Sequence, residues 1–258
     1  MKVVTLTTDF GLSDWFVGTM KGVILKISPN IQIVDITHDV PSQDIRAGAF
    51  ALMCSYKYFP EGSVHVAVVD PGVGSRRGAI AVKTRHYWFV GPDNGVLSYA
   101  LRDQDVMDIR AIENQKICIE GVGTTFHGRD VFAPAAAHIA RGINPEFIGR
   151  KLRSFVSLPF PEVSKADGRV TGEVLYIDKF GNAITNIRFS SQGEFSGWHA
   201  VVGRRKPFPV MNCYADAKDG EALAVYGSSG FIEIALRNDN AAEKLNLKTG
   251  TKIQLIKP

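Results

Sequence analysis

The sequence predicts an α/β N-terminal domain with a mostly parallel sheet flanked by helices, followed by a C-terminal all-β, barrel-like domain. Within residues 1–70, apolar β-branched runs alternate with helical patterns, which is typical of parallel strands joined by right-handed crossovers. After residue 168, short β-branched runs follow one another with turn residues between them, as in a small antiparallel barrel or sandwich. The segment at 158–168 has two prolines and little periodicity, so the predicted domains are residues 1–160 and 168–258.

The composition is that of an ordinary globular protein and argues against several classes of partner. The chain has 258 residues, 45% of them hydrophobic and 22% charged, and its formal net charge of +4 is too small to predict nucleic-acid binding. The sequence shows neither an apolar run of membrane-spanning length nor a signal-peptide pattern. Three widely spaced cysteines fit reduced thiols in the cytoplasm and lack a zinc-binding spacing. We therefore expect a cytoplasmic protein that binds neither nucleic acid nor membranes.

Local periodicity predicts the individual elements. In the N-terminal domain, strands are expected at residues 3–8, 31–36, 64–69, 79–83, 87–90, 106–111 and 116–119, with 79–90 forming a hairpin. Helices are expected at residues 13–27, 43–59, 96–101 and 132–140. Ser13 is the expected N-cap of the first helix, and Pro134 is tolerated in the first turn of the last. In the C-terminal domain, strands are expected at 170–177, 183–187, 199–202, 210–214, 222–226, 231–235 and 252–256.

Acidic residues follow the first three predicted strands of the parallel sheet. Asp9, Asp39 and Asp70 each come at or just after a strand end, and parallel order places these ends along one edge, where open α/β sheets bind ligands. After Asp70, the proline and glycines of residues 71–74 force a tight turn, and two arginines close the loop. Two interpretations are open. The loop is a ligand site, or it is a turn in which Asp70 caps its own backbone and the arginines are solvated.

The segment TTFHGRD at 124–130 is the second candidate. His127 precedes Gly128, and a glycine permits the close approach of a ligand. An acid, an arginine and a histidine from separate loops can hold and polarise a water molecule. The alternative is an Arg129–Asp130 ion pair that ties the loop to the following helix, with His127 exposed. The sequence contains no Walker A loop and no GxGxxG or GxSxG signature.

Five motifs occur in order along the chain: TDFG at 8–11, VVDPGVGS at 68–75, GPDNG at 91–95, TFHGRD at 125–130 and DKFGNAITNI at 178–187. Together they closely resemble the S-adenosyl-L-methionine hydroxide adenosyltransferase family, which is similar to the bacterial fluorinase and chlorinase enzymes. The resemblance extends from Thr8 to Arg237. It implies a two-domain subunit and a homotrimer, with S-adenosyl-L-methionine (SAM) bound where the N-terminal domain of one subunit meets the C-terminal β-barrel of its neighbour.

The reaction that the resemblance implies is hydrolysis of SAM to adenosine and L-methionine, with no metal or other cofactor. Water or hydroxide attacks C5′ of the ribose in line with the sulfonium, which leaves as the neutral thioether of methionine. By resemblance, Asp70, Arg77 and His127 handle the water, and the family's spacing from Asp70 favours Arg77 over Arg76. We expect Asp70 and His127 to orient or deprotonate the water and Arg77 to stabilise its hydroxide character. The division of roles among the three is left open.

The resemblance also implies a set of substrate contacts in both domains. They are Asp9 with the ribose hydroxyls; Phe180, Asn182, Tyr214 and Arg237 with adenine; Asp14 and Asp178 with the methionine ammonium; Ser228 and Ser229 with its carboxylate; and Phe126 and Gly128 beside His127. For each of these residues, the alternative interpretation is a structural role in a turn or a cap.

Two departures from the fluorinase-like branch favour water over halide as the nucleophile. Those enzymes resemble this chain but carry a tyrosine at the position of Asp70 and, at the position of Gly128, a serine that helps to bind fluoride. A carboxylate is a poor neighbour for an anion, because like charges repel. The alternative functions are a SAM-dependent halogenase and a non-catalytic sensor that binds SAM or adenosine.

Overall fold

The computed structural model describes residues 2–119 and 125–257, and the chain divides into two compact units, Met1–Pro159 and Phe160–Pro258. Thr124, the first residue of the TTFHGRD segment, lies outside the described residues. Each unit has an apolar core of its own. Among the helices described, none is both long and apolar enough to cross a lipid bilayer.

The N-terminal unit is built on one six-stranded sheet. Its strands are β1 (Val3–Thr8), β2 (Gln32–Thr37), β3 (Val64–Val68), β4 (Ala79–Thr84), β5 (Trp88–Pro92) and β6 (Val106–Ala111), and its helices are α1 (Phe16–Ile27), α2 (Ile45–Ser55), α3 (Ser98–Leu101) and α4 (Ala133–Arg141). The strand order is β2-β1-β3-β5-β4-β6. β1 is parallel to β2 and β3, and β3 to β5, whereas β4 is antiparallel to β5 and β6. The predicted mostly parallel sheet and its hairpin are therefore confirmed.

The order of the strands creates a crevice at one edge of this sheet. Leu6 of β1 and Val66 of β3 are fully buried, and they share a core with Met20 and Ile24 of α1. The crossover through α1 connects β1 to β2, which lies on one side of β1 in the sheet. The crossover through α2 then connects β2 to β3, which lies on the other side of β1. The carboxyl ends of β1 and β3 thus form a topological switch point, which is where open α/β sheets bind ligands.

The prediction of a strand at residues 116–119 is wrong. A 3₁₀ turn spans Gln115–Ile117 instead. The Asn114 side chain accepts a hydrogen bond from the Lys116 N–H at 3.0 Å, and the N–H groups of Ile117 and Cys118 donate to carbonyls three residues back. Local hydrogen bonds therefore take the backbone donors that a strand would have offered to the sheet.

The bounds of all four predicted helices differ in the structure, and α3 starts at Ser98 rather than at residue 96. α1 starts at Phe16, and Trp15 rather than Ser13 is its N-cap, without a side-chain bond. The predicted helix 43–59 is shorter in the structure, because Asp44 caps the start of α2 and a 3₁₀ turn, Tyr56–Tyr58, follows its end. The predicted helix at 132–140 is α4, with Pro134 in its first turn as expected, and a π-helical turn, Gly128–Phe132, leads directly into it.

The C-terminal unit is a closed barrel. Its strands are β7 (Ser164–Ala166), β8 (Arg169–Ile177), β9 (Ala183–Arg188), β10 (His199–Val202), β11 (Phe208–Met211), β12 (Ala222–Tyr226), β13 (Phe231–Leu236) and β14 (Lys252–Ile256), with one short helix, α5 (Ala241–Leu245). The order is β14-β10-β11-β12-β13-β9-β8-β7, and pairing of β14 with β8 closes a ring of seven strands from which β7 is excluded. Ile232 and Ile234 of β13 lie in the core that these strands enclose. The predicted barrel-like domain is confirmed.

Two details of the barrel differ from the prediction. β11 and β12 pair in parallel, so the barrel is not wholly antiparallel. The predicted strand at 210–214 ends at Met211, and Tyr214 begins a 3₁₀ turn, Tyr214–Asp216. This turn belongs to the connection between β11 and β12, which is long enough for β12 to run alongside β11 in the same direction.

Candidate active site

Asp70 and Arg77 face each other across the loop that follows β3. The loop folds back on itself through hydrogen bonds from Val73 N to Asp70 O (3.2 Å) and from Ser75 N to Gly72 O (3.0 Å). Arg77 Nε donates to the two carboxylate oxygens of Asp70 at 2.9 and 3.0 Å, and Arg77 Nη2 also donates to Asp70 Oδ2. The two side chains are 4% and 10% exposed, so they form a buried, multiply bonded ion pair, whereas Arg76 beside them is exposed.

His127 joins this pair from the segment before the π-helical turn. Its Nδ1 lies 2.7 Å from Arg77 Nη2. A guanidinium only donates hydrogen bonds, so Nδ1 must accept, and the neutral imidazole carries its hydrogen on Nε2. Burial, and then the charge of Arg77, lower the pKa of His127, whereas the charges of Asp70 and Asp130 act in the opposite direction. The three residues predicted to handle the water therefore form one connected set.

A small aromatic cavity opens beside this set. It has a volume of about 160 Å³ and is lined by Phe10, Phe16, Val68, Asp70, Val73, Thr125, Phe126, His127 and Gly128. The ring centroid of Phe126 lies 5.7 Å from that of Phe10 and 5.0 Å from that of Phe16. Ligand pockets are commonly about 300–1,000 Å³, so this cavity has room for a fragment of a ligand of that size. Asp70 and His127 supply its charged and titratable groups.

Gly128 is packed closely against three side chains. A Cβ atom at this position would lie 2.9 Å from Phe126 Cε2, 3.1 Å from Phe10 Cε2 and 3.2 Å from Met20 Sδ. Any larger residue would therefore displace the aromatic rings that line the cavity. The glycine is explained by packing at this position.

Asp9 and Asp14 lie near the end of β1 but outside the part of the cavity lining that the structure describes. Asp9 Oδ2 accepts a hydrogen bond from Gln43 N at 2.8 Å. Gln43 has φ of 65° and lies just before α2, so this bond holds the chain in place at the start of that helix. Asp14 is exposed in the segment before α1. One carboxylate oxygen of Asp9 therefore has a structural role, as the alternative interpretation of this residue predicts.

In the barrel, Asp178 organises the DKFGN loop. Its Oδ1 accepts from the N–H groups of Phe180 (2.9 Å) and Asn182 (2.8 Å), and its Oδ2 accepts from Asn182 Nδ2 at 3.0 Å. Gly181 has φ of 84°, and a Cβ there would overlap the Asn240 side chain. These constraints leave Phe180 69% exposed while Asn182 is buried. Asp178 therefore has the role of a turn residue, and the loop displays an aromatic ring.

Tyr214 forms hydrogen bonds with two neighbours in the barrel, Arg237 and Glu233. Arg237 Nη1 donates to the Tyr214 carbonyl at 2.8 Å, and Tyr214 Oη donates to Glu233 Oε2 at 2.7 Å. Burial, and then the bond to Glu233, raise the pKa of Tyr214, and Asp178 acts in the same sense. Glu233 was not predicted as a site residue. The available signal was an acid in the middle of the apolar strand FIEIAL.

Ser228 and Ser229 form the tip of the β12–β13 hairpin. Gly230 N donates to Gly227 O at 3.1 Å, and Gly230 has φ of 84°, so the turn itself needs glycine there. Ser228 is exposed, whereas the Oγ of Ser229 is buried and has no hydrogen-bond partner among the described residues. Of the two serines, Ser228 is therefore the one that the turn exposes.

A two-domain protein with an acid–arginine–histidine set at the switch point of an α/β sheet, followed by a closed β-barrel, is the class that this fold and site define. The chain belongs to the SAM hydroxide adenosyltransferase family. Residues 4–149 match the model of that family's N-terminal domain, and residues 172–254 match the model of its C-terminal domain.

Individual relatives agree with this assignment. The chain is 38% identical to an (R)-S-adenosyl-L-methionine hydrolase of Thermus thermophilus, over 99% of this chain and 100% of the relative. It is 27% identical to a fluorinase of Nocardia brasiliensis, over 98% and 96% of the two chains. A crystal structure from Thermotoga maritima, described as that of an uncharacterized conserved protein, superposes with a TM-score of 0.91 at 37% identity and full coverage of both chains.

Proposed function

We propose that this protein hydrolyses SAM to adenosine and L-methionine. The observation that carries the proposal is the Asp70–Arg77–His127 set, joined by hydrogen bonds at a small aromatic cavity. In the reaction, a water oxygen bonds to C5′ of the ribose while the C5′–S bond breaks. The bonding electron pair goes to sulfur, which becomes a neutral thioether, and the water gives up one proton. The sulfonium leaves without protonation, so the chemistry calls for no general acid and for no metal ion or organic cofactor.

The hydrogen-bond pattern supports a division of roles among the three residues. His127 Nδ1 accepts from Arg77, so the hydrogen that His127 offers to the attacking oxygen is the one on Nε2. A carboxylate has about four lone-pair sites, so Asp70 retains accepting capacity beside its bonds to Arg77 and receives the proton of the water. Arg77 holds both groups in place and its charge stabilises the developing hydroxide.

The proposed substrate contacts extend the site beyond the cavity. Asp9 keeps one carboxylate oxygen for the ribose hydroxyls beside its bond to Gln43. Phe180, which is 69% exposed, and Tyr214 offer aromatic faces to adenine. The other proposed contacts are Asn182 and Arg237 with adenine, Asp14 and Asp178 with the methionine ammonium, Ser228 and Ser229 with its carboxylate, and Phe126 and Gly128 beside the reacting carbon.

A SAM-dependent halogenase is the second candidate, because a fluorinase is among the relatives. Two observations favour water. The carboxylate of Asp70 borders the cavity and repels a halide ion. Packing around Gly128 also requires neighbouring side chains to shift before the serine that the resemblance implies in the halogen-transferring branch could fit. A sensor that binds SAM or adenosine without turnover is the third candidate.

We further propose a cytoplasmic homotrimer whose active sites form where the N-terminal unit of one subunit meets the C-terminal unit of its neighbour. Family membership supports this assembly. So do Leu12 and Trp15, large apolar residues that are 67% and 69% exposed in the segment before α1. Light scattering coupled to size-exclusion chromatography tests it, and a monomer that hydrolyses SAM would contradict it.

The decisive experiment is a product assay in water enriched in ¹⁸O. The purified protein is incubated with SAM, with and without chloride or fluoride, and the products are resolved by chromatography and mass spectrometry. We expect adenosine and methionine, with the heavy oxygen in the 5′-hydroxyl of adenosine. Formation of a 5′-haloadenosine would overturn the assignment of water as nucleophile. Tight SAM binding without any product would support the sensor instead.

A further inference from the structure

Glu233 is a buried acid that the proposed chemistry does not use. It lies in the middle of β13, opposite Val225 of β12, and is 6% exposed. Ala235, two residues along and on the same face of the strand, packs in a small apolar cluster with Val225 and Leu223. A carboxylate in such surroundings lowers stability unless a hydrogen bond compensates it, so its presence calls for an explanation.

Tyr214 is a hydrogen-bond partner of Glu233. Tyr214 Oη donates to Glu233 Oε2 at 2.7 Å, while Arg237 Nη1 donates to the backbone carbonyl of Tyr214 at 2.8 Å. Tyr214 is thus held at its hydroxyl and at its backbone, yet the residue remains 40% exposed. A ring fixed at both ends and still accessible is suited to contact a flat ligand.

The DKFGN loop lies near this pair. The charge of Asp178 acts on both Tyr214 and Glu233 and raises the pKa of each, after the larger effect of burial. Asp178 in turn holds the backbone of Phe180 and Asn182. Tyr214 and the DKFGN loop therefore lie in the same part of the barrel, and Glu233 contacts Tyr214 there.

We propose that Glu233 is a positioning residue that raises substrate affinity by fixing the Tyr214 ring as a contact surface for adenine. This inference rests on the proposed function, in which Tyr214 contacts the adenine of SAM. The hydrogen bond to Glu233 restrains the ring before the ligand arrives, so stacking then removes less rotational freedom and binding is tighter. Glu233 itself touches neither substrate nor water.

Three substitutions separate the hydrogen bond from the charge. Tyr214→Phe keeps the ring and removes the donor, Glu233→Leu removes the acceptor, and Glu233→Gln keeps an acceptor oxygen without the charge. We expect Tyr214→Phe and Glu233→Leu each to raise the adenosine Kd and the KM for SAM about 3- to 10-fold, with kcat within about twofold. Glu233→Gln should stay close to the unmodified protein. The Tyr214→Phe/Glu233→Leu double variant should bind no more weakly than either single variant, because both remove the same bond.

A second tyrosine of the barrel provides a matched control. Tyr226 Oη accepts a hydrogen bond from Phe195 N at 2.8 Å, so Tyr226→Phe also removes a bonded hydroxyl. Its adenosine Kd should not change. Thermal melts of Glu233→Leu should show equal or higher stability, because a buried charge has been removed, and a loss of affinity without a loss of stability excludes general unfolding.

The outcomes distinguish this inference from the proposed function. If the unmodified protein releases no adenosine from SAM, the proposed function fails, while isothermal titration with adenosine still tests the positioning role. If SAM is hydrolysed but Tyr214→Phe binds adenosine normally, the positioning role is wrong. Additive losses in the double variant, or a Glu233→Gln variant as weak as Glu233→Leu, would also overturn it. If Glu233→Leu does not fold, the comparison of Tyr214→Phe with Glu233→Gln decides the question.

Discussion

Arg77 and Arg76 are neighbours in the chain but differ in what they contact. Arg77 donates to both Asp70 and His127, whereas Arg76 is exposed. We expect Arg77→Ala to lower kcat about 100-fold or more, because it removes the donor that aligns the other two groups. Arg76→Ala is the matched control and should stay within about twofold. Steady-state kinetics with SAM, on variants shown by circular dichroism to be folded, measures both, and equal losses would contradict the roles assigned here.

His127 gives the site a pH dependence with a definite sign. Its pKa is lowered by burial and by Arg77 from the usual value of about 6.5. Protonation would put a hydrogen on Nδ1, the atom that accepts from Arg77, and so would break that bond. The neutral form is therefore the active one. We expect kcat/KM to hold as the pH falls through about 6.5 and to drop only in more acidic solution.

The same titration can be followed directly at the imidazole. Nitrogen chemical shifts of His127 should show that Nε2 carries the hydrogen near neutral pH. Replacing Arg77 with Gln removes a positive charge that lowers the pKa, so the pKa of His127 should rise in that variant. An acid limb at or above about 6.5 in the unmodified enzyme would contradict the neutral, accepting histidine.

At the scale of elements, the π-helical turn before α4 fits against the aromatic rings only because residue 128 is glycine. We expect Gly128→Ser to lower the free energy of unfolding by about 1–3 kcal/mol and to lower kcat/KM, since Phe126 or Phe10 must move. It should not create halide transfer, because Asp70 remains. Gly22→Ser in α1 is the matched control, with nothing within 4 Å of the added Cβ. Urea unfolding and the product assay test both variants, and a fully stable, active Gly128→Ser would show that the rings yield freely.

The elements with strong periodicity were predictable, and the errors arise where one local hydrogen bond outweighs the pattern. β1 (VVTLTT) and β3 (VHVAV) are rich in β-branched residues and are buried at every position, so their parallel order follows from the sequence. Residues 116–119 have a similar composition, but the side chain of Asn114 captures a backbone N–H and starts a 3₁₀ turn. Ser13 is a common N-cap residue, yet the chain does not become helical until Phe16. Such outcomes depend on single contacts that periodicity does not encode.

In the candidate site, too, some residues could be predicted from the sequence and others could not. Asp70 was predictable as an acid at the end of a parallel strand, and the motif containing His127 could be recognised from the sequence. The bond between Arg77 and His127 joins residues 50 positions apart, so it depends on tertiary packing. Glu233 was missed because an acid in an apolar strand has no local motif, and its role emerges only when Tyr214 is placed above it.

At the scale of the whole molecule, each unit has its own core, so unfolding need not be a single transition. His65 in β3 makes the N-terminal unit sensitive to acid. It is fully buried, and its Nδ1 lies 2.8 Å from Thr5 Oγ1. Its ring neighbours are Tyr56, Phe59, Tyr87 and Phe89. Burial lowers its pKa to about 3.

Acid acts in opposite directions at His65 in the N-terminal unit and at Glu233 in the barrel. Between about pH 6.5 and 3 the unfolded chain protonates His65 and the folded chain does not, so the N-terminal unit should lose about 2 kcal/mol between about pH 7.5 and pH 5. Burial raises the pKa of Glu233 in the barrel, so the stability from its protonated form is lost as the pH rises, and acid favours the folded barrel at that group. Calorimetry at the two pH values should show the N-terminal transition moving down relative to that of the barrel. His65→Gln should reduce this loss by about 2 kcal/mol, whereas His86→Gln, which replaces a histidine with a 43% exposed side chain, should retain it. An unchanged acid response in His65→Gln would mean that another group controls the stability of this unit.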